Sequence, residues 1–85
     1  MTWEIVWSRP AERDLRRLDP VVAERITDAI ERLATTGQGD VRPLQGRDQQ
    51  WRLRVGDWRV IFSYQSTVIT ILVIRVLPRG RAYRN

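Results

Sequence analysis

Between Trp51 and Phe62 the chain reads Trp-Arg-Leu-Arg-Val-Gly-Asp-Trp-Arg-Val-Ile-Phe, and no other run constrains the fold as strongly. Apolar residues alternate with arginines on both sides of Gly56-Asp57. Alternation sends successive side chains to opposite faces of a strand, and a Gly-Asp pair between two such runs suits a tight hairpin turn. Trp51, Leu53, Val55, Trp58 and Val60 then belong to a core. Arg52, Arg54 and Arg59 are left on another surface. A sheet that spends its polar face on guanidinium groups is suited to phosphate, because arginine stays charged and binds oxyanions through a planar fork.

The flanking segments supply the rest of a small α+β domain. Trp3-Glu-Ile-Val-Trp7 alternates and reads as a short strand. Ser8 is placed to cap a helix over 9–18, with Pro10 in its first turn and Ala11, Leu15 and Leu18 at helical spacing. Asp19-Pro20 restarts the pattern, and Val22, Ile26, Ala29, Ile30 and Leu33 form one stripe of a second helix over 20–35, closed by Gly37. Residues 37–50 read as a polar loop with Leu44 as its anchor. Trp51–Val55, Trp58–Tyr64 and the β-branched run Val68–Leu77 read as strands, the last ended by Pro78. The expected architecture is therefore two N-terminal helices packed on a small, mainly antiparallel four-stranded sheet, in the order β-α-α-β-β-β, as one domain over residues 1–85.

Charge is segregated along this plan. The 85 residues carry a formal net charge of +5. Residues 1–43 hold seven arginines and eight acids, a net −1, whereas residues 44–85 hold eight arginines and two acids, a net +6. Such asymmetry points to a polyanion or an acidic protein partner. Histidine and cysteine are absent and every basic side chain is arginine. This excludes disulfides and thiolate chemistry and leaves no His, Cys or carboxylate cluster; no cofactor is expected. Chemistry in such a chain rests mainly on Arg and Tyr. With no apolar run long enough to span a bilayer and no secretory pattern, the cytoplasm is the default location.

Arg52, Arg54, Arg59 and Tyr83 each have more than one reading. Arg52 and Arg54 are either phosphate ligands or the solvated face of an amphipathic strand. Arg59 is either a phosphate ligand or a partner for Asp57 or Asp48. Arg79 and Arg81 are placed to close one end of the same surface. Tyr83 either stacks on a base or takes part in proton transfer, or it pins the tail by packing. Arg75, inside the most apolar strand, reads as structural. Arg13, Asp14, Arg16, Arg17, Arg25, Asp28 and Arg32 read as solvated helix faces.

Almost the whole chain resembles the RelE/ParE superfamily of toxins from type II toxin–antitoxin systems. The resemblance is carried by the opening strand with Ser8-Arg-Pro-Ala-Glu-Arg-Asp-Leu15, by Leu44-Gln-Gly46 with the Trp51–Phe62 hairpin, and by Arg75-Val76, Arg79 and Tyr83-Arg84. Within the superfamily it is the RelE-like branch whose residues are matched. That implies a ribosome-dependent mRNA endoribonuclease (an mRNA interferase) that inhibits translation. Such an enzyme needs no metal and leaves 2′,3′-cyclic phosphate and 5′-hydroxyl ends. By the same resemblance Arg59, Arg79, Tyr83 and Arg54 are catalytic, while Arg52, Arg54, Arg81 and Arg84 bind RNA. Arg52 and Arg54 stand where some members carry lysines, and a guanidinium there supplies charge but no base. Pro78 stands where many members have histidine. The implied partners are a cognate antitoxin in a hetero-oligomeric complex, the ribosome and mRNA, with no membrane. The alternatives are a ParE-like inhibitor of DNA gyrase, or a degenerate toxin that acts only with its antitoxin.

Overall fold

The computed structural model describes residues 2–46 and 49–80. Its elements follow in the order β1 (Glu4–Trp7), α1 (Arg9–Arg16), α2 (Pro20–Thr36), β2 (Asp40–Pro43), β3 (Trp51–Val55), β4 (Trp58–Gln65), a 3₁₀ turn (Ser66–Val68) and β5 (Thr70–Pro78). The strands form one sheet in the order β1-β5-β4-β3-β2. β1 runs parallel to β5, and the remaining pairs are antiparallel. The class is α+β, as the sequence pattern requires, but the sheet has five strands rather than four. The added strand is β2, drawn from what reads as loop. Asp40-Val-Arg-Pro has little strand propensity of its own, and it becomes a strand by pairing with β3, Asp40 against Arg54 and Val41 against Leu53. Gly39 permits this approach, since a Cβ there would lie 2.8 Å from Leu53 Cδ1.

Helix boundaries follow their caps. Ser8 Oγ accepts from the Ala11 N–H at 3.2 Å and donates to the Ile74 carbonyl at 2.8 Å, so one hydroxyl both starts α1 and ties it to β5. Asp19 caps α2 through the Val21 N–H at 2.9 Å, Pro20 takes the first position, and Gly37 closes the helix at φ 76°. Both helices cover one face of the sheet. Ala11, Ile26, Ile30, Leu33 and Ala34 meet Leu53, Val55, Val60, Phe62, Ile71, Val73 and Val76 in the main core. Trp3, Ile5, Trp7, Trp51 and Trp58 pack against it as the alternation requires. The opposite face carries a second, smaller cluster of Leu44 and Ile61 with Ile74 and Leu77. A bulge reconciles the two faces of β5. Ile61 pairs with Arg75 while Phe62 pairs with Val73, which leaves Ile74 as the extra residue. That insertion lets Val73 and Val76 both face the helices.

β1 stops at Trp7, so the outer edge of β5 beyond Val73 lacks a partner strand. α1 covers it instead. The Val76 N–H donates to Asp14 Oδ2 at 2.8 Å, and Arg75 donates to the same carboxylate through Nε at 2.8 Å and Nη2 at 3.1 Å. Asp14 is buried, which corrects its reading as a solvated helix residue. A single carboxylate replaces a missing strand and explains why an arginine interrupts the most apolar segment of the chain.

The last connection stores strain. Ile69 sits at φ 48°, ψ 53°, a left-handed conformation that crowds a β-branched side chain. Its carbonyl accepts from the Glu4 N–H at 2.9 Å, which fixes it there. The residue is 36% exposed, so a polar side chain there still reaches water. Ile69→Asn is therefore expected to stabilise the fold by about 0.5–1 kcal/mol. Urea unfolding measures this, and a lowered midpoint would mean that packing of Ile69 outweighs the strain. No helix among the described residues is long and apolar enough to cross a membrane.

Candidate functional site

The arginines converge on the sheet face that the helices leave uncovered. Strand register sets Asp40, Arg54, Arg59 and Leu77 in one row across β2, β3, β4 and β5, and Arg42, Arg52 and Ile61 in the next. Gly56, at φ 59°, turns the β3–β4 hairpin so that Arg54 and Arg59 stand directly opposite each other. Past Pro78, the Arg79 N–H donates to the Asp57 carbonyl at 2.9 Å and fastens the end of β5 to the hairpin turn. Arg54, Arg59 and Arg79 thus gather at the hairpin end of the sheet. Arg81, Tyr83 and Arg84 lie outside the described residues, as does Asp48.

The three hairpin arginines are not equivalent. Arg54 is exposed. Arg52 is buried, and its Nη1 donates to the Asp40 carbonyl at 2.9 Å and to Asp40 Oδ1 at 3.2 Å. Arg59 is buried as well, and its Nη1 donates to the Gly56 and Trp58 carbonyls at 3.0 Å each. Neither the solvated-face reading nor an open phosphate cradle describes Arg52 as it stands. Its surroundings include the Leu44, Ile61, Ile74 and Leu77 cluster on the same face, so the surface mixes cations with apolar side chains. The missed residues are Arg42 and Asp40, which β2 adds to this surface. The only sequence signal for them is the short alternation Asp40-Val41-Arg42.

Tyr64 lies on the other side of the sheet. Its ring packs against Trp3, Trp51 and Phe62 at centroid distances of 5.1, 6.0 and 5.2 Å, and burial pushes its phenol above the usual tyrosine range. A phenol with a raised pKa on the helix side is no proton acceptor for the arginine face. Among the described residues, no group of three or more acidic, His or Cys side chains is placed to hold a metal ion. What the face offers chemically is fixed positive charge at defined spacing, suited to an anion whose charge grows during reaction.

This architecture is shared by small toxins whose solved structures include their antitoxins. The archaeal RelE–RelB complex from Pyrococcus horikoshii superposes with a TM-score of 0.78 at 26% identity, covering 95% of this chain and 99% of the other. The toxin–antitoxin complex RelBE2 from Mycobacterium tuberculosis gives a TM-score of 0.80 at 22% identity, covering 93% and 100%, a likeness of fold. Residues 5–83 match the sequence model of the ParE toxin of type II toxin–antitoxin systems, parDE, and the chain belongs to that family within the RelE/ParE superfamily. A relative named as a toxin, RelE1 of Methanocaldococcus jannaschii, is 29% identical over 77 residues, 86% of each chain.

Proposed function

We propose that this type II toxin is a metal-independent endoribonuclease that cleaves mRNA on the ribosome, with the hairpin end of the arginine face as its active site. The observation that carries this reading is the direct pairing of Arg54 with Arg59 beside Arg79, on the face free of helices. In the reaction, the 2′-oxygen forms a bond to the adjacent phosphorus as the bond to the 5′-oxygen breaks. The 2′-hydroxyl proton leaves to a base, and the departing 5′-oxygen gains one. The products are a 2′,3′-cyclic phosphate and a 5′-hydroxyl. Arg54 and Arg59 stabilise the charge that builds on the phosphoryl oxygens, Arg79 assists the leaving oxygen, and Tyr83 orients the base or accepts the proton. Arg52, Arg81 and Arg84 hold the RNA backbone. The RelE–RelB complexes among its structural relatives support a cognate antitoxin as partner, one with an acidic segment for the +6 half of the chain.

The test is incubation of the purified toxin with ribosomes carrying a defined message and an open A site, followed by mapping of RNA ends. Cleavage in the A-site codon with a 2′,3′-cyclic phosphate is the expected result. A second reading, a binding poison of DNA gyrase, is favoured by the description of the matched family as ParE toxin and by the inward ties of Arg52 and Arg59. Intact message together with inhibited DNA supercoiling would replace the first reading with the second.

A further inference from the structure

Asp40 is the one carboxylate that β2 brings into the row of Arg54 and Arg59. Its two oxygens divide between two guanidinium groups. Oδ1 lies 3.2 Å from Arg52 Nη1 and Oδ2 lies 4.0 Å from Arg54 Nη1. A carboxylate bridging two arginines presents the oxygen pattern that a phosphodiester presents to the same pair. The three side chains differ in exposure in a telling way. That of Arg52 is 9% exposed, whereas Asp40 is 47% and Arg54 is 55% exposed. Asp40 therefore covers the inner cation and leaves the outer one open.

We propose that Asp40 is an intramolecular anion seated in the phosphodiester site of Arg52 and Arg54, which an RNA phosphate must displace before it reaches the inner arginine. The inference rests on the RNA reading above and adds a residue that tunes it. Displacement is structurally easy. Asp40 is the first residue of an edge strand, follows Gly39, and is half exposed, so its side chain can rotate to solvent. Arg52 keeps its place when the carboxylate leaves, because its Nη1 also donates to the main-chain carbonyl of Asp40 at 2.9 Å. An exchange of this kind lowers affinity for RNA in general.

Asp40→Asn removes the competing charge and retains the carbonyl. Binding of a fluorescent single-stranded RNA by the purified toxin, without ribosomes, is then expected to tighten about three- to fivefold, the size of one exposed ion pair. In an Arg52→Gln background most of the gain should vanish, because the cation that Asp40 covers is gone. Asp28→Asn, on the exposed side of α2, removes the same charge at a distance and should leave binding near wild type. No tightening, or an equal gain in Asp28→Asn, would overturn the proposal. A measurement on the unmodified toxin guards against a folding defect in the variant. Titration with inorganic phosphate should perturb the NMR signals of the Asp40 carboxyl and the Arg52 and Arg54 guanidinium groups together. Perturbation of Arg54 alone would overturn displacement. Ribosomal cleavage is scored separately. Its absence with phosphate exchange intact defeats the endonuclease reading alone, and its presence with unchanged binding in Asp40→Asn defeats the exchange alone.

Discussion

Asp14→Ala is expected to destabilise the toxin by about 2–4 kcal/mol, enough to lower the melting temperature of so small a domain by roughly 10–25 °C. The change removes three hydrogen bonds at once and leaves the Val76 N–H buried without an acceptor. The range stays below that of a fully buried ion pair because the Arg75 side chain is 43% exposed and regains water. Asp14→Asn should cost less, since an amide oxygen still accepts from Val76. The same contact makes a prediction about pH. Burial raises the Asp14 pKa, but the hydrogen bonds from Arg75 and Val76 and the charges of Arg75 and Arg17 outweigh it, and the carboxyl ends below its ordinary value. The unfolded chain thus takes up the proton first. The stabilisation is complete above the unfolded carboxylate pKa of about 3.9 and is lost as pH falls through the lower folded value. Chemical denaturation from pH 7 to pH 3 should show wild type and Asp14→Asn converging at the acid end. A constant gap would refute the linkage.

Arg54→Ala is expected to reduce ribosome-dependent cleavage by about 100-fold or more, the scale of one preorganised charge contact to a developing anion. Stability should change by less than about 0.5 kcal/mol, because Arg54 is exposed and its nearest ion pair, to Asp40 at 4.0 Å, is weak. Arg59→Ala should lose comparable activity and also about 1–2 kcal/mol of stability, since its guanidinium ties the hairpin carbonyls of Gly56 and Trp58. Paired measurements of single-turnover cleavage and melting temperature separate the two. Wild-type cleavage by Arg54→Ala would remove it from the chemistry. Loss in Arg59→Ala that disappears once the variant is kept folded at low temperature would make Arg59 a structural residue of the hairpin.

Much of the fold is legible in the amino-acid order because it is local. Alternation in Trp51–Phe62 separates Leu53 and Val60 from Arg54 and Arg59 through nothing more than the two-residue period of a strand. Ser8, Asp19-Pro20 and Gly37 mark the helix ends because capping is decided within three or four residues. The segregation of charge into the second half requires only counting. What tertiary structure decided are contacts between residues far apart in the chain. Asp40–Pro43 became a strand only because β3 offered it a ladder. Asp14 turned from a solvated charge into a buried acceptor because β1 ended early and left β5 with an unpaired edge 62 residues away. Arg52 and Arg54, identical in pattern, parted company when β2 set Asp40 over one of them. Periodicity fixes which face a side chain takes, since that is a property of one strand. Whether a charge on that face meets water, a carboxylate or a carbonyl depends on which distant segment folds beside it, and that is settled by packing of the whole chain.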